Sequence, residues 1–209
     1  MTDVYLFGMN SLASILVNYL KYDDRYSLVG ITANKKYCET AECFGYQLVP
    51  FEELPSKTSN FGIVNCVGYS RRMESREYTS LMIAKKKIAL LSYVHPTAIV
   101  AGVEIDEGSI IMNRVVVEPY SRIGKGNVLY GGSYICHNAA IGDYNWVSAG
   151  CVLAGNVTIG NRNFLGINVS VRDCLKMGSM SIIGAGTVLV KDVPDAVTVI
   201  GNPPRVIQE

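Results

Sequence analysis

From Ile99 to Leu189 an apolar side chain returns at every sixth position, sixteen times: Ile99, Ile105, Ile111, Val117, Ile123, Leu129, Ile135, Ile141, Val147, Leu153, Ile159, Leu165, Val171, Met177, Ile183 and Leu189. A helical period of 3.6 would scatter these residues around a cylinder. A period of 2 explains only half the pattern, because the residues between are mostly polar or glycine. A sixfold repeat is the signature of a parallel β-helix, in which each hexad is a short strand and a corner.

The hexad has further order. The fourth residue past the apolar one is small or β-branched in most repeats (Val103, Ser109, Val115, Ser121, Ser133, Ala139, Cys151, Val157, Val169, Ser181, Thr187, Val193), which suits a position tucked inside a narrow prism. The third is often Gly or Asn, as at Gly102, Gly126, Asn138, Gly150, Asn156 and Gly186. Those residues tolerate the positive φ of a tight corner. One hexad is therefore one side of a triangle. Three make an 18-residue coil, and the run predicts a rod of a little over five coils stacked at about 4.8 Å.

The preceding stretch reads differently. Val4 to Phe7, Ser27 to Thr32, Phe61 to Val67 and Ile88 to Leu91 are short apolar runs. A helical pattern through Leu12, Ile15, Leu16 and Leu20 follows the first, and a second helix is expected from about Arg72 to Lys86. This alternation predicts a small α/β domain over residues 1–92 with a parallel sheet, ahead of a β-helix over residues 93–209. Ligands of such sheets sit at the carboxyl ends of the strands. Gly8-Met9-Asn10-Ser11 lies at that end of the first strand and opens a helix, where free N–H groups and the helix dipole can hold a phosphate. A plain tight turn accounts for the same residues. Gly68 stands in the equivalent place after the third strand.

Composition narrows the function classes. Net charge is +1 and evenly spread, with 11 basic and 9 acidic residues up to position 93 and 8 and 9 beyond it, so no basic stripe points to nucleic acid. Six cysteines form no CxxC pair, the start MTDVYLFG lacks the basic and long apolar regions of a secretion signal, and no stretch approaches 18 apolar residues. These features lead us to expect a reduced, cytoplasmic protein with no membrane span.

Of the two histidines, His95 sits in HPTA just before the first hexad and reads as part of a turn that starts the rod. His137, two residues past Ile135, falls on a corner and points away from the prism interior. Imidazole, with an ordinary pKa near 6.5, can accept a proton at neutral pH, so His137 is a candidate general base. A solvated surface histidine is the plain alternative.

The hexads, the segment IGDYNWVSAGCVLAGNVTIGNRNFLGIN and the close IIGAGTVLVKDVPDAVTVIGNPPRVI together resemble the bacterial hexapeptide-repeat acyltransferases. A small domain ahead of such a rod resembles, more narrowly, the nucleotide 4-aminosugar N-acetyltransferases and sialic acid O-acetyltransferases. The resemblance implies a Rossmann-like α/β N-terminal domain that holds a sugar nucleotide, followed by a left-handed parallel β-helix that binds acetyl-CoA and forms a homotrimer. It implies His137 as the base that deprotonates the sugar amine, and the Gly155 amide as donor to the developing oxyanion. Ile167 and Ala185 fall where backbone groups line the pantetheine groove. Trp146 occupies a position near the cofactor. In the first domain Gly8, Asn10 and Ser11 match the phosphate loop, Asn34 a base or ribose site, and Gly68 a substrate-facing glycine. No metal is implied.

Three departures from the family pattern stand out, the first being that its Gly-rich, His-containing phosphate loop is here GMNSLA. A carboxylate commonly follows the catalytic histidine, and here Asn138 does; either it orients the ring alone or another acid, for which Glu118 one coil earlier is the candidate, reaches it. The acidic pair after strand two is replaced by Ala33-Asn34. The activity expected is acetyl transfer from acetyl-CoA to a nucleotide-linked 4-amino-4,6-dideoxy sugar. O-acetylation of a sialic or related sugar is the enzymatic alternative, and an inactive trimeric scaffold the non-enzymatic one. A γ-class carbonic anhydrase, built on the same rod, needs three histidines on zinc, and the chain has two.

Overall fold

A computed structural model describes residues 1–56 and 60–207. It divides into two compact units, Met1–Gly68 with Ser75–Leu91, and Tyr69–Glu74 with Ser92–Glu209. The segment Tyr69–Glu74 thus groups with the hexad region although it lies between parts of the first unit in sequence.

The first unit contains β1 (Thr2–Phe7), α1 (Ser11–Leu20), β2 (Tyr26–Ala33), β3 (Glu42–Cys43), β4 (Tyr46–Pro50), β5 (Phe61–Asn65), most of α2 (Glu74–Lys85) and β6 (Ala89–Leu90). The sheet order is β3-β4-β2-β1-β5-β6, parallel throughout except for the β3–β4 hairpin. That hairpin is the element the apolar pattern does not announce. It turns at Phe44-Gly45, both with positive φ (54° and 77°), the geometry of a two-residue hairpin loop. In α1 the buried stripe is Leu12, Ala13, Leu16, Val17 and Leu20, so Ile15 lies at its edge rather than in its centre. No helix among the described residues is long and apolar enough to cross a membrane.

The hexads of the second unit form three parallel sheets joined by corners. Their many parallel strands, with few helices, fit a left-handed β-helix. Partners lie 18 residues apart, as where Ile123 pairs with both Ile105 and Ile141. The faces differ in what they turn outward. The polar face shows Glu104, Arg122, Ala140, Thr158 and Lys176. The tryptophan face carries Ile110, Val128, Trp146, Phe164 and Ile182, and the tyrosine face Val116, Tyr134, Val152, Ser170 and Val188.

The sixfold register holds from Ile105 onward, where all but the partly buried Ile105 are fully buried, but not at its first member. Ile99 is 61% exposed and stands opposite Val116, an outward position. Val100 packs against the core instead, because the first coil is one residue short: Val94 pairs with Ile111 at a separation of 17. The third residue past each apolar one has φ between +55° and +75° at every corner from Gly102 to Gly186, including bulky Tyr120, Tyr144 and Arg162. Corner geometry therefore imposes the left-handed conformation, and Gly or Asn merely eases it.

The corner after the polar face holds a buried ladder. Ser109, Asn127, Asn145, Asn163 and Ser181 recur at 18 residues. Asn145 N–H donates to Asn127 Oδ1 at 2.7 Å and Asn163 N–H to Asn145 Oδ1 at 2.9 Å, while the Nδ2 groups donate to carbonyls such as Gly160 O. Successive coils are thereby tied together through a buried polar column whose members are hydrogen-bonded. We call this the asparagine corner. The corner after the tyrosine face is the histidine corner, and that after the tryptophan face the glycine corner.

Candidate active site

The second residue past each inward apolar one sits at the outermost point of its corner, where coil geometry offers its N–H no backbone acceptor. At the asparagine corner, side chains of the following coil supply one: Lys125 N–H donates to Asp143 Oδ1 (2.8 Å), Asp143 N–H to Asn161 Oδ1 (2.7 Å), Asn161 N–H to Ser179 Oγ (3.0 Å) and Ser179 N–H to Asp195 Oδ1 (2.6 Å). At the glycine corner the amides of Ala149, Ile167 and Ala185 donate to no group among the described residues. Ile167 and Ala185 are exposed and stacked one coil apart.

The histidine corner stands between these extremes. Pro119 has no N–H to satisfy, His137 N–H donates to Glu118 Oε2 at 2.8 Å, and the Gly155 amide donates to no described group. His137 and Gly155 are 18 residues apart and so lie one above the other. A Cβ at 155 would stand 2.8 Å from His137 Cε1 and 2.9 Å from Nε2, so only glycine leaves room for the ring. An exposed imidazole thus lies against a bare backbone donor. His137 Nδ1 is 3.0 Å from the Asn138 amide nitrogen, and Asn138 holds the corner conformation at φ 56°. An asparagine amide can turn either end to the ring. Its nitrogen donates to Nδ1 when the ring proton is on Nε2; its oxygen accepts from Nδ1–H and leaves Nε2 free to take a proton.

Glu118, the acid expected to reach the ring, meets the backbone instead. Its second oxygen accepts from Tyr134 Oη at 2.6 Å. The Tyr134 hydroxyl, then the His137 amide, hold its carboxyl below the usual carboxylate range, and the same contact pushes the Tyr134 hydroxyl up. Cysteine contributes no thiolate here: burial raises the adjacent Cys136, and drives Cys66 to about 12 and Cys151 to about 11. His95 is a turn residue, its Nδ1 accepting from Thr97 N–H at 3.1 Å.

Trp146 does not join His137 or Gly155. It lies on the tryptophan face, half a coil away, with ring centroids 5.1 Å from Tyr130 and 6.5 Å from Tyr69, and Tyr69 sits 4.4 Å from Phe164. There it forms part of an aromatic cluster with Tyr130, Tyr69 and Phe164.

In the first unit Gly8, Asn10 and Gly68 come together at the carboxyl ends of β1 and β5. Gly8 has φ 127° and passes 3.4 Å, measured from a modest added Cβ, from the Cys66 backbone. The Asn10 side chain is doubly engaged, capping α1 by accepting from Ala13 N–H (3.1 Å) and donating to Cys66 O (2.8 Å). Its amide is therefore a tether for the loop, and Ser11 at the start of α1 is exposed. Asn34 lies past β2 beside a cavity of about 630 Å³ lined also by Phe51, Glu52, Tyr78 and Lys86. The carboxylate missing after β2 arrives from β4's end, where Glu52 Oε2 accepts from Lys35 N–H at 2.8 Å. Among the described residues no group of three or more His, Cys, Asp or Glu could hold a metal ion.

A histidine-to-asparagine variant of perosamine N-acetyltransferase from Caulobacter crescentus, in complex with CoA and GDP-perosamine, superposes with a TM-score of 0.90, 24% identity and coverage of 100% of this chain and 98% of that one. The acetyltransferase domain of PglB from Neisseria gonorrhoeae gives 0.84 and 24% over 99% and 100%, and WeeI from Acinetobacter baumannii 0.85 and 22% over the same shares. The chain is similar in fold to these proteins over its whole length. No family model matches it, and no curated protein does.

Proposed function

We propose that the protein transfers an acetyl group from acetyl-CoA to the amino group of a nucleotide-linked 4-amino-4,6-dideoxy sugar. The observation that carries this reading is the pairing of an imidazole with an unpartnered amide at one corner, His137 over Gly155. Attack of an amine on a thioester carbonyl needs a group to take the amine's proton and a donor for the oxyanion. His137 Nε2 serves as the first and Gly155 N–H as the second. The tetrahedral intermediate then collapses, expelling the CoA thiolate, which gains the proton. Similarity in fold to enzymes acting on such substrates supports the choice of donor and acceptor.

The site is completed by a second copy of the chain. The tyrosine face is apolar and half exposed, with Tyr134 at 37% and Val152 at 44%. Its two edges are the glycine corner, with Ile167 and Ala185, and the histidine corner, with His137 and Gly155. Packing these faces around a threefold axis sets the glycine corner of one protomer near the histidine corner of the next. The free amides at Ile167 and Ala185 then meet pantetheine carbonyls in the groove between them. We read the first unit as Rossmann-like and assign it the sugar nucleotide, with Gly8, Ser11 and Gly68 facing the phosphates and sugar, and Asn34 with Glu52 facing the ribose or base. Cytoplasmic nucleotide sugars and acetyl-CoA place the reaction in the cytoplasm.

The test is turnover of acetyl-CoA with UDP-, dTDP- and GDP-linked 4-amino sugars. An amide product stable to mild base is expected. A base-labile ester would assign O-acetylation, and no turnover with any acceptor would leave a scaffold. Ser11→Trp should raise KM for the sugar nucleotide and leave that for acetyl-CoA unchanged.

A further inference from the structure

We propose that Glu118, buttressed by Tyr134, is a positioning residue for His137 and supplies the negative charge that Asn138 cannot. The inference rests on the catalytic reading above and adds the group on which the base depends. Removing the amine's proton turns His137 into an imidazolium, and a neutral neighbour does little to stabilise it. Among the described acids, Glu118 is the one whose carboxylate touches His137, and it does so one coil away in sequence register.

Its geometry is that of a clamp. One oxygen takes the His137 backbone N–H and the other the Tyr134 hydroxyl, at 2.8 and 2.6 Å. The first contact fixes the strand end that carries the ring. The second holds the carboxylate in place, since a glutamate on an open corner would otherwise sample several rotamers. Asn138 then fixes the ring plane through Nδ1, and Gly155 fixes the ring's other side. Orientation and charge, which a carboxylate after the histidine would provide together, are here divided between Asn138 and Glu118.

Other titratable groups around the corner do not compete. Cys136 stays a thiol, Tyr134 donates rather than ionises, Arg122 is paired with Asp106 at 3.2 Å, and Asp173 lies a coil beyond Gly155. Because the Glu118 carboxyl is held low, its contribution is present at all pH values above the ordinary carboxylate range. It is lost only as pH falls through the folded value.

Glu118→Gln is the decisive variant, because glutamine can accept from the His137 amide with its oxygen and donate to Tyr134 with its nitrogen, keeping the shape and removing the charge. We expect kcat to fall about tenfold, with the acid limb of kcat/KM moved to lower pH and KM for acetyl-CoA unchanged. Asn138→Asp placed on Glu118→Gln should move the limb back and recover part of kcat. A Glu118→Gln profile that superimposes on wild type overturns the proposal. The ring signals of His137, followed by NMR with His95→Gln to separate the two histidines, read the same contact without relying on activity: they should shift in Glu118→Gln, and unchanged signals overturn the clamp. Should His137→Ala stay fully active while those signals shift, the catalytic reading fails and the clamp stands.

Discussion

The asparagine corner and the glycine corner are built on the same hexad, turn through the same left-handed residue and present the same outermost N–H, yet they end in opposite states. At the first, each orphan amide is taken by a side chain from the next coil, and a second column of asparagines seals the interior. At the second, apolar side chains with no acceptor atom leave the amides of Ala149, Ile167 and Ala185 bare. An unsatisfied amide facing solvent costs little, whereas one buried under a ligand must be paired. The difference therefore separates a corner whose amides are closed within the protein from one that, on the proposed function, leaves them for a ligand. The histidine corner combines both devices, with Glu118 closing one amide and Gly155 leaving the next open.

The comparison breaks first at His137. If His137 is the base as proposed, its loss leaves proton removal to water, so His137→Ala should lower kcat/KM by roughly 10²- to 10⁴-fold while acetyl-CoA affinity holds. Full activity in that variant would remove the histidine corner from the chemistry. His95→Ala, which alters only a turn, should be near neutral in rate.

The converse effect belongs to the asparagine corner. Asn145→Leu keeps the branching at Cγ but strands Asn163 N–H and Gly160 O, at about 1 to 3 kcal/mol for each group. Chemical denaturation should show that loss with kcat of the folded enzyme preserved. Ile141→Asp, an unpaired carboxylate in the apolar ladder, should cost several kcal/mol and abolish the cooperative melt. A wild-type melt in either would mean the inward register is misassigned.

Gly155→Ala probes the corner where the two designs meet. The new methyl would displace the ring by contact at 2.8 Å. We expect kcat to drop about 10- to 100-fold through misplacement of the base, with the melt nearly unchanged. Loss of stability in place of rate would make Gly155 a packing glycine only.

How much of this was legible in the sequence follows from what each feature depends on. The rod was legible because a period of six is imposed at every coil, and the His137–Gly155 stack follows from 18-residue register alone. Ile99 keeps the sixfold spacing by coincidence: the first coil is one residue short, so the inward residue is Val100, five before Ile105, and Ile99 turns outward. The asparagine column also repeats at 18, from Asn127 through Asn163, and that period could have exposed it. Glu118 was marked as a partner by register, but its choice of backbone over ring depends on rotamers that no spacing encodes. Asn10 resembles a phosphate-loop residue by position and its cap on α1 is local, whereas its bond to Cys66 depends on β5 lying beside β1. The hairpin at Phe44-Gly45 and the carboxylate of Glu52 beside Asn34's turn likewise arise from neighbours distant in sequence.

The smallest effect gives the sharpest contrast between corners. Proline at the outermost corner position is already accommodated once, at Pro119, and it deletes only the N–H that coil geometry leaves orphaned. Ile167→Pro should therefore fold normally, with stability unchanged or raised by about 0.4 to 1 kcal/mol through the unfolded chain. If the Ile167 amide holds a pantetheine carbonyl, losing one hydrogen bond of about 1 kcal/mol should raise KM for acetyl-CoA about fivefold with kcat within twofold. Ile167→Ala, which keeps the amide, separates this from loss of the exposed side chain. Asn161→Pro makes the same change at the asparagine corner, where the N–H is bonded to Ser179 Oγ and the side chain to Asp143 N–H. It should lower stability by about 1 to 2 kcal/mol and leave KM alone, since what it removes are bonds within the protein. Equal responses at the two positions would mean that bare and stitched amides do the same work, and the groove would then have to be sought on another face of the rod.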